Sequence, residues 1–203
     1  MAKKNTAQLR LFEQTMYEYF VLLSPSDTIK QDVDSMKQAL HDQIGLEAFN
    51  LNSVAHLSLY KTEAPDDSSV VRFIKKVAGL QHPFTISLNG YDILKHGNVS
   101  RTICLKVTDP EPINRLMASL NPPVESKRTY RQTSILDKPK KAKPVIHPHV
   151  TIARKIPIQD FNRINEFSLF DYQGEWLCDN ITILRRPAGS TGHFSPCRVI
   201  PLG

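Results

Sequence analysis

The sequence predicts an α+β fold built from a repeated strand-helix-strand-strand unit. Segments rich in aromatic and β-branched residues alternate along the chain with segments whose apolar residues recur every three or four positions. The same order of elements occurs twice, after His56 and after His149. From His56 to Leu94 is 38 positions and from His149 to Leu184 is 35, so the two copies have nearly the same length. These observations indicate an internal duplication.

The chain begins with a predicted strand and helix. Met16 to Leu23 is aromatic and branched and stops at Ser24-Pro25, which is typical of a strand followed by a turn. Ser26 and Asp27 are suitable N-caps for a helix with apolar residues at helical spacing, and Gly45 closes it. The first copy of the repeat follows, with a turn at Gly97-Asn98. Its predicted elements are a strand at Ala55 to Tyr60, a helix from Asp66 to Gly79, and strands at Phe84 to Leu94 and Thr102 to Val107.

A further helix separates the two copies. Pro110 to Leu120 has helical spacing and ends before Pro122-Pro123, because proline interrupts helical hydrogen bonding. The elements of the second copy are a strand at His149 to Ile156, a helix at Gln159 to Phe167, and strands at Trp176 to Leu184 and Arg198 to Leu202. Gly189 to Gly192 lacks the lysine of a phosphate-binding loop and is interpreted as a hairpin turn.

Composition excludes several classes of protein. With 203 residues, 40% of them apolar and 23% charged, the chain is expected to be globular, as one domain or two closely packed lobes. The longest apolar run near the N-terminus, Tyr19 to Leu23, is far shorter than the roughly 20 residues of a membrane helix, so we expect no membrane partner. Residues 1–14 have no secretory signal and predict a flexible tail.

The cysteines indicate a reducing compartment. There are three, Cys104, Cys178 and Cys197, an odd number without CxxC spacing. This pattern argues against both a disulfide framework and a structural zinc site. We therefore expect a cytoplasmic protein.

The charge balance favours an anionic partner. The net charge is +6 and the isoelectric point is near 9.2. Basic residues are concentrated between Lys127 and Lys143, a long connection for a compact domain. One interpretation is an RNA-binding rim that includes Lys138, Lys140, Lys141 and Lys143. The alternative is a loop whose charges only face solvent.

Two short motifs contain the residues suited to catalysis. His56-Leu57-Ser58-Leu59 and His149-Val150-Thr151-Ile152 both place a histidine two positions before a hydroxyl residue. Side chains alternate in a strand, so the imidazole and the hydroxyl share one face while the apolar residues face the core. A hydroxyl can donate a hydrogen bond to a phosphoryl oxygen, and an imidazole titrates near neutral pH. Each motif therefore suits proton transfer at a phosphate.

Other interpretations of these residues have less support. One such histidine could simply fill space, but chance gives two matching motifs in only roughly one sequence in a hundred. His147-Pro148-His149 suggests a metal pair, yet no third and fourth ligand occur at characteristic spacing, so we predict no metal. A set of arginines and a tyrosine could bind phosphate or only face solvent: Arg101, Tyr130, Arg131, Arg185 and Arg186.

The paired motifs, 93 residues apart, resemble those of the 2H phosphoesterases, as does the stretch Ile146 to Arg154, which reads IHPHVTIAR. This superfamily includes bacterial RNA 2′,3′-cyclic phosphodiesterases, also called 2′-5′ RNA ligases. The resemblance extends from about Tyr17 to Leu202. It implies a bilobal α+β domain over residues 15–203, in which two antiparallel sheets flank a central cleft and the helices lie outside.

The resemblance also implies a chemistry. His56 and His149 are the expected catalytic residues, Ser58 and Thr151 the expected phosphate-binding residues, and no cofactor is needed. The implied reaction is hydrolysis of 2′,3′-cyclic phosphate ends of RNA or nucleotides, reversible as 2′-5′ ligation, by a monomer. Two alternatives remain open: an enzyme for a small cyclic phosphate, such as a cyclic nucleotide or an ADP-ribose derivative, and a non-catalytic RNA-binding module.

Overall fold

The computed structural model describes residues 15–121 and 147–203. The predicted tail at residues 1–14 and the four lysines of the predicted RNA-binding rim lie outside these ranges. The described residues form strands and helices in this order: β1 (Tyr17–Leu23), α1 (Asp27–Ile44), α2 (Ala48–Leu51), β2 (Leu57–Ala64), α3 (Asp67–Ala78), β3 (Phe84–His96), β4 (Ser100–Val107), α4 (Glu111–Leu120), β5 (His149–Pro157), α5 (Ile158–Phe161), a 3₁₀ turn (Ser168–Phe170), β6 (Gln173–Cys178), β7 (Asn180–Pro187) and β8 (Ser195–Pro201).

Local capping fixes the ends of the longer helices. The side chain of Ser26 accepts a hydrogen bond from the amide of Ile29 at the start of α1. Gly45 ends that helix with φ of 71°, a left-handed conformation that glycine adopts without steric cost. Asp66 caps α3 by accepting from the amide of Ser69. The predicted positions of both helices are confirmed.

The strands form one antiparallel sheet with the order β6-β3-β4-β5-β2-β1-β7-β8. We call β6-β3-β4-β5 the His149 half-sheet and β2-β1-β7-β8 the His56 half-sheet. At the centre, the pairing of β2 with β5 consists of Leu57 opposite Val150. The predicted α+β class is confirmed, and the two expected sheets are joined at their inner strands.

The two copies of the repeat exchange strands. The chain crosses from one half-sheet to the other at Asp179, between β6 and β7. As a result β6 pairs with β3 and β7 pairs with β1. The predicted single strand at Trp176 to Leu184 is therefore two strands in different half-sheets, and the later of them, β7, pairs with β8 at the end of the second copy.

The helix predicted at Gln159 to Phe167 is mostly wrong. Helical structure covers Ile158–Phe161, and a 3₁₀ turn follows at Ser168–Phe170. The residues between them make other contacts: the amide of Asn165 donates to the side chain of Gln43 on α1 at 3.1 Å. Phe167 packs against Phe161 and Phe170. Tertiary packing thus replaces the helical turn that the apolar spacing indicated.

The helices cover one face of the sheet. Helix α1 contacts β5, α4 contacts β2 and α3 contacts β8. On this side the fully buried Tyr19 donates from its hydroxyl to Asp67 of α3 at 2.8 Å. In residues 15–121 and 147–203, no helix has both the length and the apolar character needed to cross a membrane.

Candidate active site

The structure places the two histidine motifs side by side at the centre of the sheet. Leu57 and Val150 pair across the two inner strands, and both side chains are fully buried. Because side chains alternate along a strand, the histidine and the hydroxyl residue of each motif point to the opposite face. We call this the site face. It carries all four residues predicted from the motifs: His56, Ser58, His149 and Thr151.

The register relates the four residues by a pseudo-twofold axis. Extending the antiparallel pairing by one residue in each direction sets His56 opposite Thr151 and Ser58 opposite His149. The two histidines are then diagonal neighbours, whose Cα atoms are typically roughly 7–8 Å apart. Each imidazole thus has the hydroxyl residue of the other motif beside it.

Both imidazoles are held in the same way. Nδ1 of His56 lies 2.8 Å from the carbonyl oxygen of Val54, and Nδ1 of His149 lies 2.9 Å from that of His147. A carbonyl oxygen can only accept, so Nδ1 must carry the proton in each ring. Within the described ranges no hydrogen bond engages Nε2 of either histidine. Nε2 is therefore the atom available for proton transfer.

The surroundings of His56 favour its neutral form. Desolvation in this half-buried position lowers the pKa of His56 below its usual value of 6.5. The hydrogen bond to the carbonyl of Val54 opposes this shift. Three nearby positive charges lower the pKa further: those of Arg154, Lys61 and Lys37. A neutral imidazole with a free Nε2 can accept a proton from a substrate or a water molecule.

A bulge brings Arg154 to the site face. Two adjacent residues of β4, Ile103 and Cys104, pair with Ala153 and Thr151 of β5, so β5 has one extra residue between Thr151 and Ala153. Arg154 follows His149 by five positions, an odd number that would direct it away from the histidine in a regular strand. The extra residue reverses this direction. Arg154 was not predicted as a site residue, because the prediction assumed regular alternation.

Asn50 links the segment before His56 to the strand of His149. Its side chain is 3% exposed and makes two hydrogen bonds with the backbone of Arg154. Nδ2 donates to the carbonyl oxygen at 3.1 Å, and Oδ1 accepts from the amide at 2.9 Å. From α1, the buried Lys37 donates to the carbonyl of Ser53. These contacts fix the chain immediately before His56 relative to Arg154.

Three of the other arginines considered in the sequence have protein partners. Arg185 bonds to Asp67 on the helix side at 2.5 Å. Arg186 bonds to Glu18 at 2.7 Å, and Arg101 donates to the carbonyl of Gly97 at 2.8 Å. Tyr130 and Arg131 lie outside the described residues.

No metal-binding cluster accompanies the motifs in the described part of the chain. Across residues 15–121 and 147–203, no group of three or more histidine, cysteine, aspartate or glutamate side chains could hold a metal ion. Metal independence stays a prediction. A cavity of about 480 Å³, lined partly by Ser24, Trp176 and Thr182, lies away from the histidines, which do not line it.

Comparison with known proteins identifies the family. Residues 25–190 match the family model described as the 2′-5′ RNA ligase superfamily. None of the curated proteins compared with the chain is a significant match. The fold is similar to that of TT0787 of Thermus thermophilus, with a TM-score of 0.58, 15% identity, and coverage of 91% of this chain and 97% of the other.

A second similar structure is that of E. coli LigT complexed with phosphate. Its TM-score is 0.54 at 15% identity, and the match covers 93% of this chain and 98% of LigT. At this identity the likeness concerns the fold, whereas the family-model match spans most of the sequence. The chain therefore belongs to the 2′-5′ RNA ligase superfamily of 2H phosphoesterases.

Proposed function

We propose that this protein is a metal-independent phosphodiesterase that hydrolyses the 2′,3′-cyclic phosphate ends of RNA or nucleotides. The observation that carries the proposal is the matched pair of imidazoles on one face, each with Nδ1 bonded to a carbonyl and Nε2 available. Membership of a phosphoesterase superfamily supports it. So do structures of E. coli LigT complexed with phosphate and with 3′-AMP, because a similar fold there binds a phosphate and a nucleotide.

In the proposed mechanism His56 is the general base. Its lowered pKa keeps the ring neutral near pH 7, so Nε2 can take a proton from the attacking water. His149 then acts as the general acid and donates a proton from Nε2 to the departing 3′ oxygen of the ribose. The P–O3′ bond breaks as the new P–O bond to water forms, which leaves a 2′-phosphate.

Three further groups stabilise charge in this mechanism. Ser58, which is exposed, and Thr151 donate hydrogen bonds to the nonbridging phosphoryl oxygens. The guanidinium of Arg154 offers several donors in a planar arrangement that suits phosphate. Reversal of the same steps joins a 2′-hydroxyl end to a cyclic phosphate, so 2′-5′ ligation is part of the proposal. Cytoplasmic location is also proposed, and it agrees with three free cysteines.

A substrate panel tests the reaction. We expect turnover of 2′,3′-cyclic nucleotides and of RNA with a cyclic phosphate end, with undiminished rates in EDTA because no step uses a metal. ADP-ribose cyclic phosphate should be a poor substrate by comparison. Chromatography would identify the product as the 2′-phosphate. Loss of activity in EDTA with recovery in zinc would contradict the two-histidine mechanism in favour of a metal-bound water.

The pH profile tests the assignment of the base. The rate should fall on the acid side as His56 takes up a proton, and on the basic side as the acid loses one, which gives a bell shape. Because the pKa of His56 is lowered, the acid limb of kcat/KM should have its midpoint below 6.5. NMR titration of the imidazole resonances would assign that limb. A midpoint above 6.5 would contradict the assignment of His56 as the base.

A further inference from the structure

Lys61 occupies the position on β2 that Arg154 occupies on β5. Each follows its histidine by five residues. Like β5, β2 has one extra residue directly after its hydroxyl residue, because adjacent residues of β1 pair with Tyr60 and Ser58. The bulge returns Lys61 to the site face in the same way. The pseudo-twofold axis therefore relates two cations as well as two histidines.

An aromatic pair holds Lys61 beside His56. Its ammonium nitrogen lies 4.7 Å from the ring centre of Phe20 and 5.7 Å from that of Phe194. Phe20 also contacts the ring of His56 edge-on, with the ring centres 5.1 Å apart. Lys61 and His56 thus contact the same buried ring. Cation–π attraction keeps the ammonium there without using its N–H donors.

Among the described residues, none accepts a hydrogen bond from the Lys61 ammonium, so its donors are available for a ligand. Oε1 of Glu18, the carboxylate oxygen that forms its ion pair, is 3.9 Å away, which is beyond hydrogen-bond range. The other oxygen of Glu18 is engaged by Arg186, at 2.8 Å from Nε and 2.7 Å from a terminal nitrogen. The Lys61 side chain is 55% exposed. An anion approaching the site face can therefore reach the ammonium.

We propose that Lys61 binds a second anionic group of the substrate, the phosphodiester adjacent to the reacting cyclic phosphate. The proposal rests on the proposed function and names its substrate class as the end of an RNA oligonucleotide. Of the two cations, Arg154 lowers the pKa of His56 more than Lys61 does, which fits a position of Arg154 at the reacting phosphate. Lys61 and His56 contact the same Phe20 ring, at 4.7 Å and 5.1 Å from its centre, which fits a phosphate contact next to the reacting group.

A pair of dinucleotides isolates this contact. Both carry the same 2′,3′-cyclic phosphate end, but one has a phosphodiester linkage and the other an uncharged methylphosphonate linkage. The wild-type protein should prefer the charged linkage. Lys61→Met should lower that preference in kcat/KM by about tenfold, as expected for a charged hydrogen bond at a half-exposed site. Lys61→Arg should retain most of it. Lys76→Met, which removes an exposed charge from α3, is the matched control.

The possible outcomes separate this proposal from the proposed function. An undiminished preference for the charged linkage in Lys61→Met would overturn it, as would an equal loss in Lys76→Met. If the wild-type protein turns over neither dinucleotide, the proposed function fails, and calorimetric dissociation constants for the same two compounds decide the role of Lys61. The logarithm of the binding constant for the charged dinucleotide falls linearly with the logarithm of the salt concentration, and the slope should be about one unit shallower in Lys61→Met.

Discussion

Replacement of either histidine by alanine should lower kcat by about 10²- to 10⁴-fold, the usual contribution of a positioned acid or base. His56→Ala removes the ring that accepts a proton, and His149→Ala removes the ring that returns one. The double variant should be little slower than the slower single variant, because the two groups act in one step. The measurement is steady-state turnover of a 2′,3′-cyclic nucleotide by the two single variants and the double variant.

Controls separate chemistry from folding in this experiment. His82 is exposed and precedes β3, so His82→Ala should retain full turnover. Ser58→Ala and Thr151→Val should each cost less than either histidine variant, because they only stabilise phosphoryl oxygens. Added imidazole should partly restore His56→Ala. A folded His149→Ala protein with unchanged turnover would refute the mechanism.

Replacement of Asn50 by leucine should affect both stability and activity. It leaves the amide and the carbonyl of Arg154 without partners, and an unsatisfied buried group costs about 1–3 kcal/mol. The expected loss of turnover is about 10- to 100-fold, because small displacements of catalytic groups have effects of this size. Thermal unfolding and turnover are both measured.

Two variants make the Asn50 experiment specific. Asn52 is exposed and lies two positions along the same segment. Asn52→Leu should therefore change neither thermal unfolding nor turnover substantially. Asn50→Asp keeps the acceptor for the Arg154 amide but regains the donor only when its carboxyl is protonated. Its activity relative to wild type should therefore rise as the pH falls. If Asn50 acts through Arg154, Asn50→Leu should add little to the loss caused by Arg154→Ala.

Local periodicity was sufficient to predict the orientation of the four motif residues. Each histidine is two positions from its hydroxyl residue, and no bulge falls between them. Alternation fails immediately afterwards, at Leu59 and Ile152, where each strand gains a residue. Bulges of this kind have no clear composition signal here. For this reason the histidines could be predicted from the sequence, whereas Lys61 and Arg154 could not.

Contacts between distant parts of the chain were not predictable from the sequence alone. Asn50 and Arg154 are 104 residues apart, and nothing near Asn50 indicates a backbone partner on β5. The strand exchange was missed for a similar reason, because β6 and β7 are consecutive and read as one strand. Only the pairing of β6 with β3 and of β7 with β1 separates them.

The exchange of strands has a consequence for the order in which the protein folds. The His56 half-sheet contains β1 and β2, but its other two strands, β7 and β8, follow His149 in the chain and leave the ribosome after it. An emerging chain that already contains both histidines therefore lacks half of one supporting sheet. Pairing of such distant segments is slow, because a long loop must close before the contacts form. Catalytic competence should thus arise only after β7 and β8 have emerged and paired with β1, rather than as soon as both histidines are present.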